Sequence, residues 1–143
     1  FHADCALRLS SRLYLSPKLK GRFLFGSTIP AIYQNSAGGD TDAYYLPGQM
    51  ALETAQHVHL LNRNVMVGQL CLRYRLKGKL YLSALGEYGK ESRKTSRIFC
   101  GDDLWGCAMR ASYDFVLGPV SIQANYSNLD KNVGIYISAG FMF

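Results

Sequence analysis

The stretch that decides the fold is residues 132–143, NVGIYISAGFMF, at the end of the sequence. Successive side chains of a β-strand point to opposite faces, so the alternation in this stretch predicts a strand with one continuous apolar face. About ten residues of this kind cross an outer membrane as one strand of a β-barrel. The apolar positions are Val133, Ile135, Ile137, Ala139, Phe141 and Phe143, and they alternate with Gly134, Tyr136, Ser138, Gly140 and Met142.

The same alternation recurs along the chain and predicts about eight strands. Short turns on one side of a sheet and longer loops on the other are typical of outer-membrane barrels. The predicted strands cover residues 5–15, 19–28, 51–61, 65–76, 79–88, 104–117, 120–126 and 132–143. The predicted short turns are Ser16-Pro17-Lys18, Lys77-Gly78 and Gly118-Pro119, and the long connections are residues 30–50 and 89–103.

Composition favours an all-β membrane protein of one domain, residues 1–143. Hydrophobic residues make up 48% of the chain, yet the mean hydropathy is −0.04. Alternating strands give this weak average, and no apolar run is long enough for a transmembrane helix. The predicted fold is an antiparallel up-and-down transmembrane β-barrel, either closed by its own eight strands or part of a larger barrel. Because no leader precedes Phe1, we expect a processed chain or the C-terminal piece of a longer one.

The net charge of +6 belongs to residues on the polar side of the predicted strands rather than to one patch. In a barrel that side faces the lumen. With no stacking motif or groove-reading helix beside the charge, a nucleic-acid partner is not predicted. The predicted lumen-facing residues are Arg8, Arg12, Arg22, Arg73, Arg75, Glu87, Arg110 and Asp114. Arg73 is expected to face Glu87 across a hairpin, and Arg110 to lie beside Asp114.

The last strand ends on an aromatic residue, which suggests a signal for barrel assembly formed by Ala139, Phe141 and Phe143. The predicted partners follow from this reading. They are outer-membrane lipid, the barrel-assembly machinery, and either the remainder of a parent chain or a second copy that closes the barrel. The predicted location is the outer membrane of a Gram-negative bacterium.

Motifs for catalysis or metal binding are absent from the sequence. His57 and His59 share one face of the predicted strand 51–61, but zinc needs three or four ligands. The four cysteines form no C-x-x-C pair, and a disulfide between Cys100 and Cys107 is left open. No catalytic residue, cofactor or metal is predicted for this chain.

The sequence resembles the C-terminal β-barrel of bacterial patatin-like phospholipases of the Bacteroides type, within the surface-antigen superfamily. The residues that carry the resemblance are Tyr44-Tyr45-Leu46-Pro47-Gly48, Leu70-Cys71-Leu72-Arg73-Tyr74-Arg75-Leu76, Leu80-Tyr81-Leu82, Tyr88-Gly89, Gly118-Pro119-Val120-Ser121, Asn125-Tyr126-Ser127 and Gly140-Phe141-Met142-Phe143. The resemblance implies a sixteen-stranded barrel, of which this chain would be the C-terminal half. It also implies an attached lipid hydrolase whose serine lies in a Gly-x-Ser-x-Gly motif.

The chain departs from that family in three places. Pro47-Gly48 stands where the family has a Gly-Gly pair, the Arg-Gly-Phe loop motif of the superfamily's translocators is missing, and no Gly-x-Ser-x-Gly occurs. The expected role is therefore to anchor, and to help export, a patatin-like hydrolase that lies outside these residues. Two alternatives stay open: a small complete eight-stranded outer-membrane barrel with a structural or binding role, and a soluble β-barrel carrier whose apolar side faces an internal ligand.

Overall fold

The computed structural model describes residues 1–26, 29–30, 33–39, 48–116 and 118–140. These residues form one large antiparallel sheet and one small sheet. In chain order the strands are β1 His2–Asp4, β2 Leu7–Arg8, β3 Leu13–Phe23, β4 Ser36–Ala37, β5 Gln49–Met50, β6 His59–Leu60, β7 Asn64–Lys77, β8 Leu80–Ser92, β9 Asp102–Phe115, β10 Gly118–Ser127 and β11 Val133–Ala139. A 3₁₀ helix, Thr95–Cys100, lies between β8 and β9.

The large sheet has the order β1-β3-β7-β8-β9-β10-β11, and β2 also pairs with β3. Consecutive long strands are neighbours and run antiparallel, so the predicted all-β, up-and-down arrangement is confirmed. The sheet has eight strands, but two of them, β1 and β2, have only three and two residues. Among the described residues it does not close, because β1 and β11 remain as its edges.

The second half of the chain follows the predicted strands closely. The hairpin between β7 and β8 turns at Gly78, whose φ of 58° suits glycine. Two boundaries differ: β8 continues to Ser92 into the predicted loop, and Gly118-Pro119 begins β10 instead of forming a turn. The end of the predicted final strand, residues 141–143, lies outside the described residues, and so does residue 117.

The first quarter of the chain was predicted wrongly as two strands separated by a turn at Pro17. Instead, β3 runs through Pro17, which pairs with Leu70 of β7. The amide of Cys5 donates to the Pro17 carbonyl, 3.1 Å away, between β1 and β2. The nitrogen of Pro17 points to the same side as its carbonyl, toward the stretch where the edge is interrupted. No ladder hydrogen bond is required there, so proline is tolerated.

The predicted strand at residues 51–61 is also wrong, because this stretch does not join the large sheet. Only β6 at its end is a strand, and it belongs to a small sheet with the order β5-β4-β6. We call residues 48–61 the covering segment, since they lie over one face of the large sheet. Its residues 48–55 and Leu61 are buried.

The large sheet has two chemically different faces. We call the uncovered side the apolar face; its large side chains are exposed, between 40% and 69% for Leu70, Leu72, Leu82, Met109, Ile122, Ile135 and Ile137. The other side, the polar face, carries the residues that the covering segment contacts. A hydrophobic cluster between the polar face and the covering segment contains Met50, Leu52, Ala55, Leu61, Val65, Val67 and Leu104, with Ala37. No helix among the described residues has the length and apolar character to cross a membrane.

Candidate functional site: the polar face and its covering segment

The covering segment is tied to the sheet at Glu53. The side chain of Glu53 is 9% exposed, and its two carboxylate oxygens are taken by three partners. Lys18 Nζ lies 3.5 Å and Gln69 Nε2 2.9 Å from Oε1, and Arg110 Nη2 lies 2.9 Å from Oε2. Gln123 Nε2 donates to the Glu53 carbonyl at 2.6 Å. One side chain therefore connects β3, β7 and β9 to the covering segment, and the Glu53 backbone adds β10.

The electrostatics of this contact keep Glu53 ionised. Burial alone would raise the pKa of the Glu53 carboxyl. The hydrogen bond from Gln69 and the positive charges of Arg110 and Lys18 together outweigh burial and lower the pKa below its usual value. The carboxylate thus neutralises two cations of the polar face in a site with little water.

A second carboxylate, Glu87 on β8, holds the backbone of the same segment. Its Oε1 accepts a hydrogen bond from the Glu53 amide at 3.2 Å, and its Oε2 accepts from the Thr54 amide at 3.0 Å and from Thr54 Oγ1 at 2.5 Å. Glu87 is 5% exposed. The predicted pairing of Arg73 with Glu87 across the hairpin is wrong, because Ser83 stands opposite Arg73 and Gln69 opposite Glu87.

Two glycines make room for the covering segment. A Cβ at Gly106 of β9 would collide with the Thr54 side chain, and a Cβ at Gly134 of β11 would collide with Gln56. A side chain at Gly106 would force Thr54 to shift, whereas one at Gly134 would displace the end of the Gln56 side chain. The sheet surface is therefore shaped for the segment as well as charged for it.

A third contact lies at Asp130, in the turn between β10 and β11. Its carboxylate accepts from the Gln56 amide at 2.6 Å and from Ser127 Oγ at 3.1 Å, and it lies 3.0 Å from His57 Nδ1 and 2.8 Å from His59 Nε2. Burial opposes ionisation of Asp130, but the hydrogen bonds from His59, Gln56, His57 and Ser127 prevail and lower its pKa to about 2.

The two histidines lie beside one carboxylate rather than on a regular strand face, because only His59 belongs to a strand. Sequence reasoning missed Asp130. The one signal for it was the Ser127-x-x-Asp130 spacing, which here places Asp130 N 3.2 Å from Ser127 Oγ.

Among the described residues, no group of three or more His, Cys, Asp or Glu side chains is arranged to hold a metal ion. The four cysteines, Cys5, Cys71, Cys100 and Cys107, are all free. The disulfide between Cys100 and Cys107, which the sequence left undecided, is therefore not formed.

Beyond the covering segment, toward the short turns, the polar face forms a cleft of about 700 Å³ that we call the basic cleft. Four basic side chains and two acidic ones line it, together with tyrosine and serine hydroxyls. The charged lining residues are Lys18, Arg73, Arg75, Arg110, Glu53 and Asp114, and the hydroxyl-bearing ones are Tyr14, Ser16, Tyr81, Ser112, Ser121 and Ser138.

The predicted lumen-facing residues are therefore distributed over three places. Arg73, Arg75, Arg110 and Asp114 line the basic cleft, and Glu87 lies beneath the covering segment. Arg22 lies at the other end of the polar face, next to Gly48. Arg8 and Arg12 are exposed around the turn before β3, where Arg8 Nε donates to the Ser10 carbonyl at 3.3 Å.

Arg110 does not pair with Asp114 as expected: its Nε donates to Gln123 Oε1 at 2.7 Å and its Nη2 to Glu53. Of the predicted assembly signal, Ala139 ends β11 on the apolar face, and Phe141 and Phe143 lie outside the described residues.

Comparison of the chain with protein-family models, curated proteins and solved structures gives no match.

Proposed function

We propose that this chain is part of the wall of an outer-membrane β-barrel and that it anchors an attached enzyme domain in that membrane. The observation that carries the proposal is a belt of apolar side chains across all six long strands. In the register of the sheet, two neighbouring rows hold aliphatic residues, one methionine and one tyrosine, with no charge or amide in either. The rows are Leu13-Tyr74-Leu82-Ala111-Ile122-Ile137 and Leu15-Leu72-Ala84-Met109-Ala124-Ile135.

Water is a poor solvent for such a belt. At about 25 cal/mol per Å² of apolar surface, the free energy of exposing a belt this wide to water is strongly unfavourable, and soluble monomers rarely present one. Lipid removes the cost, since hydrocarbon chains contact these side chains as readily as other apolar groups do. The lengths of β7, β8 and β9, which have 14, 13 and 14 residues, also suit tilted strands that cross a bilayer.

The polar face supports the same reading. A soluble carrier of an apolar ligand would place its apolar side chains inside, around the ligand. Here the row that runs over the opposite face is Tyr14-Arg73-Ser83-Arg110-Gln123-Tyr136, which suits a wet lumen.

The edges of the sheet define what the proposal requires. In a bilayer, the unpaired backbone groups at the β11 edge and at the opposite edge, formed by β1 and β2, would each cost several kcal/mol. Closure therefore needs further strands, from the remainder of a parent chain or from a second copy. Recognition by the assembly machinery through Ala139, Phe141 and Phe143 belongs to the same proposal.

Anchoring is favoured over transport because the covering segment fills much of the polar face. Val65, Val67 and Gln69 of β7 lie buried beneath it, whereas Arg73 and Arg75 beyond it are exposed. That the anchored enzyme is a patatin-like lipid hydrolase rests on the sequence resemblance alone, and no catalytic residue of this chain is proposed.

The test is folding of the chain from urea into detergent micelles and, separately, into plain buffer. Barrels with closed hydrogen bonding migrate differently on gels before and after boiling. We expect such a shift for the micelle sample, at the size of a closed assembly, and aggregation in buffer. A monodisperse monomer in plain buffer with native strand content would overturn the proposal.

A further inference from the structure

Three side chains of the β7–β8 hairpin, Arg73, Arg75 and Tyr81, line the basic cleft. In the register of the hairpin, Arg73 stands opposite Ser83 and Arg75 opposite Tyr81. Residues two apart on a strand share a face and are separated by about 7 Å, so the two guanidinium groups can reach one small ligand between them. Two hydroxyls lie across the hairpin from the two guanidiniums.

The charges of these arginines are not neutralised. The carboxylate of Glu53 is engaged by Lys18 and Arg110, and Asp114, the other acidic residue of the cleft, forms no ion pair with either arginine among the described residues. Among the described residues, the side chain of Arg75 donates only to the Ser11 carbonyl, at 3.3 Å, and the side chain of Arg73 makes no hydrogen bond or ion pair. A cleft with walls of protein concentrates the field of such charges and attracts anions.

A buried hydroxyl, that of Ser83, lies beside these arginines but outside the lining of the cleft. Ser83 is 5% exposed, and its Oγ has no hydrogen-bond partner among the described residues. It lies between Arg73 on β7 and Arg110 on β9, opposite both in the register. Because Ser83 does not line the cleft, the groups available to a ligand there are the guanidiniums and the hydroxyls of the lining.

The chemistry of a ligand follows from these groups. Guanidinium forks bind phosphate oxygens in pairs, and hydroxyls donate to the remaining oxygens. A cleft of about 700 Å³ has room for an organic molecule beyond the phosphate group, and Tyr14 and Tyr81 in its lining provide flat surfaces for it. A neutral sugar or an apolar ligand would leave the arginine charges unused.

We propose that the basic cleft binds a small water-soluble phosphate monoester, held by Arg73 and Arg75 with the hydroxyl of Tyr81. This goes beyond the anchoring role and depends only on the fold of the sheet. It can therefore fail or succeed separately from the membrane assignment.

The test is a calorimetric titration of the folded full chain with phenyl phosphate, in whichever of micelles or buffer preserves the native strand signal. We expect saturable one-site binding that weakens about tenfold or more in Arg73→Gln, because one charge-assisted contact is lost. Arg73→Lys keeps the charge but not the fork, so we expect an intermediate loss. Arg97→Gln, which removes an exposed arginine of the 3₁₀ helix, is the matched control and should bind as the wild type does.

Two results would overturn this proposal. One is the absence of phenyl phosphate binding to folded wild-type protein. The other is equal weakening in Arg73→Gln and Arg97→Gln, which would mean attraction to net charge rather than a site. Phenol, which lacks the phosphate, should give no heat of binding. Circular dichroism of each variant checks that the sheet has formed, and Tyr81→Phe provides a second variant that leaves the charge unchanged.

Discussion

The carboxylate of Glu87 accepts hydrogen bonds from both the amide and the hydroxyl of Thr54, at 3.0 and 2.5 Å, across 33 positions of sequence. Thr54 lies at the middle of the covering segment and Glu87 at the middle of the polar face. This contact fixes where the segment lies on the sheet, and the contacts of Glu53 and Asp130 hold it on either side. Four predictions follow from these three carboxylates and from the glycines beside them, and one from the apolar belt.

Replacing Glu87 with Gln should loosen the covering segment without removing its hydrophobic contacts. A carboxamide has one acceptor oxygen, so its NH₂ group would face either the Glu53 amide, which donates to Oε1, or both the amide and the hydroxyl of Thr54, which donate to Oε2. Leaving a buried donor unpaired costs about 1–3 kcal/mol. We expect faster hydrogen exchange at the amides of Glu53 and Thr54, measured by mass spectrometry on peptides covering residues 48–61. Unchanged exchange there would contradict the role given to Glu87.

Replacing Glu53 with Ala should destabilise the protein by about 2–3 kcal/mol, because it leaves Lys18 and Arg110 partly buried without a counter-charge. The matched control is Asp103→Ala, which breaks the ion pair between Lys90 Nζ and Asp103 Oδ1 at 2.8 Å. Asp103 is exposed, so solvent screens this pair and we expect a much smaller loss of stability than for Glu53→Ala. Urea unfolding of both variants gives the comparison, and equal losses would refute the assignment of Glu53 as the main ionic tie.

Acid should release the Asp130 contact only at low pH. The pKa of Asp130 is lowered from 3.8 to about 2, so the folded protein holds its proton less tightly than the unfolded chain does. The stabilisation is therefore complete above about pH 4 and is lost as pH falls from there toward 2. Subtracting the unfolding free energies of Asp130→Asn from those of the wild type should show a difference that shrinks over this window. A difference that stays constant from pH 5 to pH 2 would contradict the lowered pKa.

A single methyl group should test the fit of the covering segment. Gly106→Ala places a Cβ against Thr54, which should cost about 1–3 kcal/mol through overpacking. Gly86→Ala, in the neighbouring strand, meets nothing within 4 Å and should be neutral or slightly stabilising. Thermal or urea unfolding of the two alanine variants separates the cases. If both lose the same stability, strand propensity rather than contact with Thr54 is responsible.

A charged side chain introduced on the apolar belt should destabilise the protein only in lipid. Ile122→Arg places a guanidinium in the row between Ala111 and Ile137, where we expect a loss of about 2–4 kcal/mol in bilayers. Asn132→Arg adds the same charge in the exposed loop before β11 and should change little. Folding yields and unfolding free energies in vesicles measure both. A stable, fully folded Ile122→Arg protein in vesicles would argue that this face does not contact lipid.

Alternation was enough to predict the five strands from β7 to β11, because each pairs with its neighbour in sequence and its faces are chemically distinct. Leu70, Leu72 and Tyr74 on one side and Gln69, Arg73 and Arg75 on the other leave only one orientation of β7. The arginines of the basic cleft were found for the same reason, since the period of a strand places them together.

The rest of the fold depends on contacts that alternation does not record. His57 and His59 alternate as they would in a strand, yet Asp130, more than seventy positions away, holds them over the face of the sheet. Pro17 normally marks a turn, and only the interrupted edge beside β3 makes it acceptable within a strand. Glu53 was not identified because its partners Lys18, Gln69 and Arg110 come from three different strands.

The measurement that tests the central claim most directly is quenching of Trp105, the single tryptophan of the chain. Trp105 lies on the apolar face near the start of β9, 47% exposed and 5.6 Å from the ring of Tyr126. With the protein folded into vesicles, lipids brominated on their acyl chains should quench its fluorescence, and aqueous iodide should have little effect. Strong quenching by iodide with no effect of brominated lipid would place this face in water and contradict the membrane assignment.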